Sequence, residues 1–245
     1  MNQLCYRVVF NRSRGLLMAV AETARSHRAC GSSGLFVGAA LGWLLSMALL
    51  PDVATAQIVP DRSAPANQQP TVHAAPNGVP LVNIQTPNQA GVSRNEYSQF
   101  DVQKNGAILN NATQSVQTSL GGWVQANPML DKSATVIVNE VNSSDRSLLH
   151  GYVEVAGPRA QVIIANPSGI SCDGCGFINA TRATVTTGVP NYGATGSLDS
   201  YRVRRGTVSF TGDGLDARSA DYTDVIARAV QVQAALRAQQ LRVIA

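Results

Sequence analysis

From about residue 77 onward, the chain alternates short runs of Val, Ile and Leu with Asn, Gly, Ser and Thr. Apolar residues in these runs recur at every second position, which places them on one face of a β-strand. The period appears in five pairs: Val136/Val138, Val153/Val155, Val162/Ile164, Val208/Phe210 and Val230/Val232. Residues 224–240 alone would also fit a helix, and we predict mostly strand there too. The sequence therefore predicts an all-β domain.

The sequence also contains a longer repeat in addition to this two-residue period. Six valines follow one another at intervals of 22 to 24 residues: Val116, Val138, Val162, Val185, Val208 and Val230. A repeat of this length, made of short strands, is typical of a solenoid. Its form here is a parallel β-helix, in which inward-facing Val, Ile and Leu stack as ladders about 4.8 Å apart. A β-sandwich is the alternative, but the two-residue hairpin turns that it needs are few, as in KNG (104–106) and GDG (212–214).

The first 56 residues have the layout of a secretory signal. An n-region (1–33) precedes an uncharged apolar h-region (34–50), and the small residues Ala54 and Ala56 indicate cleavage before Gln57. The net charge of this segment is +3, which leaves +1 of the chain's +4 for the remainder. The overall basic charge therefore does not indicate binding to nucleic acid. A transmembrane anchor is the alternative, because the 17 apolar residues of the h-region are near the lower limit for a span.

Cleavage leaves only two cysteines, Cys172 and Cys175, in an oxidising compartment. A zinc site needs four ligands, and the two histidines of the remaining chain lie apart without a second ligand pair. A redox C-x-x-C opens a helix, whereas the strand-like sequence GFINATRATVTT follows this one. We therefore favour a small disulfide that closes the Gly-rich corner GISCDGCG over a zinc or redox site.

The other motifs of catalysis and cofactor binding are missing from the sequence. The segment GISCDGCG has no lysine and lacks the spacing of a phosphate loop, and no G-x-S-x-G indicates a hydrolase. The closest carboxylate pairs are Asp213/Asp216 and Asp221/Asp224. Their neighbours are typical of turns, so we expect solvated side chains. We predict no catalytic, cofactor-binding or metal-binding residue, and neither a small-molecule substrate nor a nucleic-acid partner.

Two Asn-Pro sites interrupt the strands, NPML at 127–130 and NPSGI at 166–170. Proline fixes its own φ and holds the preceding Asn in an extended conformation. The Asn side chain can then accept a hydrogen bond from the backbone two residues on, which makes an Asx turn. Gly169 permits a sharp turn before Ile170 re-enters the core. The two sites predict two well-formed corners of a β-structure.

In order and content, these segments closely resemble the N-terminal secretion domain of filamentous haemagglutinins. That family of two-partner secretion exoproteins includes adhesins, haemolysins and contact-dependent inhibition toxins. The resemblance runs from about Asn77 to Ala245 and is carried by segments such as LGGWVQANPML, ANPSGISCDGCGFINATRATVTTG and GSLDSYRVRRGTVSFTGDGLDA. The leader resembles the extended signal peptide of large Gram-negative exoproteins at Asn2, Tyr6, Arg7, Val9 and Asn11.

The resemblance implies a right-handed, single-stranded parallel β-helix of the pectin-lyase-like type, with an N-terminal cap and extra-helical hairpins. It also implies export by the general secretory machinery, followed by recognition by an outer-membrane transporter that has periplasmic docking domains. The domain would then nucleate β-helix folding outside the cell. The chain is therefore expected to pass the periplasm and to be secreted or displayed at the cell surface.

The resemblance also assigns residues. The family motifs NPNL and NPNGI match Asn127, Pro128, Met129 and Leu130, and Asn166, Pro167, Ser168, Gly169 and Ile170. Met129 and Ser168 replace the usual Asn. Ser can still make a side-chain turn bond but Met cannot, so we expect either a looser first corner or a weaker contact with the transporter there. A cysteine pair after the second motif occurs in many members, which supports a disulfide between Cys172 and Cys175.

The predicted organisation is a signal peptide (1–56), a loose Pro/Gln-rich lead outside the core (57–76) and a secretion domain (77–245). Family members continue the coil further, so we expect a domain truncated at its C-terminus: a fragment, the product of a truncated gene, or a secretion domain separated from its passenger. The predicted function is secretion targeting without enzymatic activity. The alternatives are a stand-alone secreted β-helix enzyme acting on polysaccharide, which needs an exposed acidic cluster, and a short surface adhesin.

Overall fold

The computed structural model describes residues 58–245 and, further upstream, the strands β1 (Tyr6–Asn11) and β2 (Leu16–Ala21), which pair antiparallel. These two strands fall within a compact unit, Met1–Asp52, while a second unit comprises Val53–Ala245. The predicted h-region (34–50) and the cleavage residues Ala54, Ala56 and Gln57 lie outside the described residues. Within the described part, no helix is both long and apolar enough to cross a membrane.

Residues 58–245 form short strands and a single 3-10 turn, Ala66–Gln68. In chain order the strands are β3 (Ile58–Pro60), β4 (Thr71–Ala74), β5 (Pro80–Asn83), β6 (Val92–Phe100), β7 (Ala107–Asn110), β8 (Val116–Thr118), β9 (Gly122–Val124), β10 (Val136–Val141), β11 (Ser147–Leu149), β12 (Tyr152–Ala156), β13 (Ala160–Ala165), β14 (Ile170–Ile178), β15 (Ala180–Thr186), β16 (Val189–Tyr192), β17 (Leu198–Arg202), β18 (Thr207–Ala217), β19 (Tyr222–Ile226), β20 (Ala229–Val232), β21 (Leu236–Ala238) and β22 (Leu241–Ile244). The predictions of an all-β chain and of strand within 224–240 are confirmed.

The strands wind into a parallel β-helix. One sheet has the order β22-β19-β15-β13-β10-β6-β3 and another has the order β20-β18-β14-β12-β7-β5-β4. The strands β13, β14 and β15 alternate between the two sheets, and each pairs in parallel with a strand of the preceding coil: β13 with β10, β14 with β12 and β15 with β13. The parallel pairing confirms the predicted β-helix and excludes the β-sandwich, whose neighbouring strands would be antiparallel hairpins.

The prediction of mixed Val, Ile and Leu ladders is confirmed. Val208 lies opposite Val230, and in the main core Val162 pairs with Ile137. Val138 pairs with Ile163 rather than with Val162. The spacing of the six valines therefore measures the length of one coil, and the six do not all lie in one ladder. Because β10 is buried on both faces, alternation of apolar residues cannot indicate which face points to the core.

Two antiparallel hairpins lie outside the two sheets, as predicted: β8–β9 and β16–β17. The second hairpin covers the outer face of the β10–β13 sheet, where Tyr192 and Leu198 pack against Val138 and Ile163. This contact explains why the outward residues of these strands are apolar and buried. The hairpin leads into the loop 203–206, which contains Arg204 and Arg205.

The N-terminal end is capped by the segment that we predicted to be a loose lead. Within it, β3 pairs antiparallel with β6, placing Ile58 opposite Phe100 in the main core, where Ile58 is buried. The strand β4 likewise pairs antiparallel with β5. The lead is therefore part of the fold, and the prediction of a loose segment is wrong. The physical reason is that the first coil of a solenoid exposes strand edges and apolar side chains that must be covered.

Candidate functional site: the two Asn-Pro corners

Each Asn-Pro motif lies where a strand ends. The first, at 127–130, follows β9 and precedes β10; the second, at 166–170, directly follows β13, and its Ile170 is the first residue of β14. A proline has no N–H to give to a strand ladder, so it marks the place where the chain leaves the sheet. Leu130 is partly buried against the main core, and Ile170 is fully buried within it.

The first corner is built by the side chain of Asn127, which is 1% exposed. Its Oδ1 accepts a hydrogen bond from the N–H of Met129 at 2.9 Å, and its backbone oxygen accepts one from the N–H of Leu130 at 3.1 Å. Its Nδ2 donates to the backbone oxygens of Ile84 (2.9 Å) and Asn110 (2.8 Å). One amide thus closes the turn and joins it to two other segments of the chain.

The second corner repeats this arrangement around Asn166, which is fully buried. Its Oδ1 accepts from the N–H of Ser168 at 2.9 Å, and its backbone oxygen accepts from the N–H of Gly169 at 3.0 Å. Its Nδ2 donates to the backbone oxygen of Asp145 (2.9 Å) and to Oγ of Ser147 (3.1 Å). The predicted Asx turns are confirmed at both corners by these bonds.

The expectation of a looser first corner is wrong. The Asx bond reaches the backbone N–H of the third motif residue, which Met129 supplies as well as any other residue. The backbone oxygen of Met129 also accepts a hydrogen bond from Oγ1 of Thr86. In the second corner, Oγ of Ser168 donates to the backbone oxygen of Ser143 at 2.9 Å. The third residue therefore changes which neighbour is contacted and leaves the turn itself intact.

Each corner borders a groove of about 410 Å³, but the two grooves have different linings. Pro128 lines the first groove together with His73 and Trp123, and Trp123 is 67% exposed. Pro167 lines the second groove, together with residues of the β16–β17 hairpin and the loop after it: Val189, Arg202, Arg204 and Arg205. The Asn side chains are buried, so a partner that approaches the folded corner meets the prolines and the groove linings.

The two cysteines lie on β14, just after the second corner. The structure joins Cys172 and Cys175 in a disulfide with a Cα–Cα distance of 5.3 Å, and both are buried in the main core. The strand register against β18 shifts at this point, between Asp173 and Cys175. Among residues 58–245, no group of three His, Cys, Asp or Glu side chains is placed to hold a metal ion.

The four aspartates that a polysaccharide-cleaving site would use, Asp213, Asp216, Asp221 and Asp224, contact different partners. Asp216 pairs with Arg218 at 2.6 Å, and that guanidinium lowers the pKa of Asp216 to about 2. Asp221 pairs with Arg159 at 2.7 Å, and Asp224 lies between Arg182 (3.4 Å) and Arg242 (2.8 Å). The backbone N–H of Asp213 donates to Asp173 at 3.1 Å. Three of the four carboxylates thus pair with different arginines, and this is the arrangement of structural ion pairs rather than of a catalytic dyad.

A cluster that the sequence did not predict fastens the β16–β17 hairpin to the sheet. The guanidinium of Arg94 lies 4.1 Å from the ring centroid of Tyr192 and 3.3 Å from Glu140. The hydroxyl of Tyr192 donates to Glu140. Burial raises the pKa of Glu140, against the opposing effects of the Tyr192 hydrogen bond and the Arg94 charge. These residues lie far apart along the chain, and no local motif marks them.

Comparison with known proteins decides the family. The model of the TPS secretion domain matches residues 56–245. The chain belongs to the TPS secretion domain family. The model of the extended signal peptide of the type V secretion system matches residues 1–51, in agreement with the predicted leader.

The relatives of this TPS domain are much longer proteins. It is 50% identical to Toxin CdiA of Yersinia pestis over 99% of the chain, and 45% identical to tRNA nuclease CdiA-2 of Burkholderia pseudomallei over 100% of the chain. The chain spans 8% of the length of each. The crystal structure of the filamentous hemagglutinin secretion domain is also similar, with a TM-score of 0.63, 38% identity and coverage of 73% of this chain and 59% of that one.

These matches fix the general role of the chain. It is the secretion-targeting domain of a two-partner exoprotein, and it is exported for secretion or display at the cell surface. The signal-peptide model is that of the type V secretion system, which agrees with this role.

Proposed function

We propose that this TPS domain is recognised by the periplasmic docking domains of its outer-membrane transporter and then nucleates the β-helix of its exoprotein outside the cell. The stacking of successive coils supports the second step, since β15 pairs in parallel with β13, and β19 in turn pairs in parallel with β15. The strand edge of a formed coil is thus a template on which the following coil pairs. At the N-terminal end this edge is already covered by β3 and β4, so coils are added in the other direction.

We further propose that Asn127 and Asn166 contribute by building the corners. The observation that carries this proposal is their burial: the amide oxygen and the amide nitrogen of both side chains form hydrogen bonds only within the domain. Replacement of either Asn leaves buried polar groups without partners, which destabilises the fold. The asparagines therefore act on recognition indirectly: they stabilise the fold, and the fold positions the exposed residues around each corner that the transporter contacts.

The identity of the relatives supports a further proposal about the whole exoprotein. The names of two matched proteins, a toxin and a tRNA nuclease, belong to chains in which this domain is a small N-terminal part. We propose that this domain likewise exports a long exoprotein of the contact-dependent inhibition type. The activity then resides in the exported remainder, since the role of the TPS domain is targeting.

Transporter-dependent release tests the proposed function. The chain with its leader is produced in a Gram-negative host with and without the cognate transporter, and the fraction in the medium is measured by immunoblot. We expect release only in the presence of the transporter. Cells carrying a transporter without its periplasmic domains are the control, and they should retain the chain in the periplasm. Equal release in all three strains would contradict the proposal.

A further inference from the structure

Residues 58–245 contain twelve arginines, of which ten fall into two groups. Five take part in ion pairs with carboxylates: Arg94, Arg159, Arg182, Arg218 and Arg242. Five others are exposed, take part in none of these ion pairs and belong to segments around the second Asn-Pro corner: Arg146, Arg202, Arg204, Arg205 and Arg228. We call these five the corner arginines. The nearby carboxylate of Asp145 is exposed and pairs with none of them. The other two arginines, Arg62 and Arg237, are exposed and take part in none of the ion pairs among these residues.

Direct contacts place the corner arginines around the second groove. Arg202, Arg204 and Arg205 line it together with Pro167 and Val189. Arg146 reaches the other side of the corner, since its Nη2 would lie 3.8 Å from a Cβ on Gly169. The backbone N–H of Arg228 donates to Oγ1 of Thr187, a further lining residue, at 3.2 Å.

The loop that carries Arg204 and Arg205 is held in place by its packing. It connects β17 to β18 in only four residues, 203–206. Gly206 has φ +87°, and a Cβ there would lie 2.7 Å from the backbone oxygen of Pro167. The backbone of this loop is thus held against the corner before any partner arrives, so less backbone entropy is lost on binding.

A cluster of guanidinium groups without carboxylate partners favours anionic ligands. The planar fork of arginine binds phosphate in a bidentate way, and repulsion within the cluster is relieved when an anion binds. The corner arginines come from three separate loops, so their charges spread over a surface and suit an array of phosphates. Val189, 48% exposed, and Pro167 add apolar area between the charges.

We propose that the corner arginines bind the phosphate groups of anionic glycolipid at the outer-membrane surface and hold the folded TPS domain against that surface. The exported domain meets such phosphates when it emerges from its transporter. This inference goes beyond the proposed function, because export itself does not require it.

Vesicle co-sedimentation tests the inference on the exported chain, purified after release. The probes are phosphatidylcholine vesicles that contain lipopolysaccharide, the same vesicles with dephosphorylated lipopolysaccharide, and pure phosphatidylcholine vesicles. We expect binding only to the first. The triple variant Arg202→Gln, Arg204→Gln, Arg205→Gln should bind at least tenfold more weakly, because each basic residue near an anionic membrane contributes about fivefold.

A matched variant controls for net charge. Arg62→Gln, Lys104→Gln, Arg237→Gln removes the same charge from exposed residues that take part in none of the ion pairs named above, and it should bind within about twofold of the wild type. Equal losses in both triple variants, or equal binding to phosphorylated and dephosphorylated lipopolysaccharide, overturn the inference. Thermal unfolding of each variant establishes that it is folded.

Two further measurements keep the inference falsifiable. Wild-type binding to the lipopolysaccharide vesicles should fall steeply between about 0.05 M and 0.5 M salt, and binding that is insensitive to salt overturns the inference without any variant. If the arginine variant binds vesicles normally but loses affinity for the purified periplasmic part of the transporter, the groove recognises an acidic protein instead. Failure of transporter-dependent release refutes the proposed function and is independent of these vesicle results.

Discussion

The two Asn-Pro corners form the same turn in different surroundings. Asn127 and Asn166 make the same Asx and backbone bonds, yet Asn127 donates to two backbone carbonyls, whereas Asn166 donates to one carbonyl and one hydroxyl. The first corner borders a groove with Trp123, and the second borders the corner arginines. The comparison shows that the motif determines the turn, while the neighbouring loops determine what the corner presents to a partner.

The corners also differ at the fourth motif position. In the first, Leu130 donates its N–H to Asn127 and packs on the core. In the second, the equivalent bond comes from Gly169, which has φ +120° and lies under the next coil. A Cβ on Gly169 would lie 3.1 Å from the backbone oxygen of Thr207. The glycine of the second motif thus allows the next coil, at Thr207, to pack closely against the corner.

Replacement of the two asparagines should give the largest effects and should rank the corners. We expect Asn127→Ala to lower the free energy of unfolding by about 2–4 kcal/mol, since it leaves two backbone carbonyls without a donor. Asn166→Ala should cost about 1–3 kcal/mol, because the hydroxyl of Ser147 can rotate to another partner. Urea unfolding of the purified domain measures both.

The control for the asparagine variants is Asn105→Ala, at an exposed turn residue. It should change the free energy of unfolding by less than about 0.5 kcal/mol. If Asn127→Ala and Asn166→Ala are equally mild, the two corners are not held by their buried amides and the comparison fails.

Gly169→Ala tests a backbone feature that only the second corner has, a glycine with positive φ packed against the next coil. We expect a loss of about 2–3 kcal/mol in urea unfolding, from a positive φ and from the contact with Thr207. Gly78→Ala is the matched control, since Gly78 has φ +85° but nothing within 4 Å of its added Cβ. It should cost only the backbone share, about 1 kcal/mol. Equal losses at both glycines would mean that coil stacking does not constrain Gly169.

The ion pair of Asp216 and Arg218 provides a contrast to the two corners, because it is held by opposite charges at the surface rather than by a buried amide. Asp216→Asn should lower the free energy of unfolding by less than about 1 kcal/mol at neutral pH. The pKa of Asp216 is lowered to about 2, so its contribution is present above its ordinary pKa and is lost as the pH falls towards 2. Unfolding curves of the wild type and the variant should therefore converge in acid. A difference that grows as the pH falls contradicts this assignment.

The smallest effect is expected from restoring the family residue in the first motif. Met129→Asn should change the free energy of unfolding by no more than about 0.5 kcal/mol, because the turn uses only the backbone N–H of this residue. Ser168→Ala, in contrast, should cost about 1 kcal/mol, since it removes the bond to the backbone oxygen of Ser143. A large gain from Met129→Asn would show that the first corner is loose after all.

Much of the architecture follows from local patterns. Period-two valines predict the strands, their 22-to-24-residue spacing predicts the coil, and the Asn-Pro pairs predict both Asx turns. The pairing of Val138 with Ile163 was not predictable, because these residues lie on the outer face of the sheet and are buried only by the distant β16–β17 hairpin. The burial of Ile58 was missed as well, since pairing of β3 with β6 depends on residues about 40 positions away.

The surroundings of the corners were not predictable from composition. A net charge of +1 after the leader gives no sign of a basic surface, because the 14 Lys and Arg residues of this region are nearly balanced by 13 Asp and Glu residues. Only the fold shows which guanidinium groups are neutralised and which gather at the second corner. Counting charges along a chain cannot distinguish a mixed surface from a segregated one.

The central claim is that the buried asparagines support secretion through the fold. The most direct test is transporter-dependent release of Asn166→Ala as a function of growth temperature, beside the thermal unfolding curve of the purified variant. We predict that release returns to the wild-type level at temperatures at which the variant is folded. Release that stays absent while the purified variant is fully folded would contradict the claim, because it would mean that the transporter reads the amide itself.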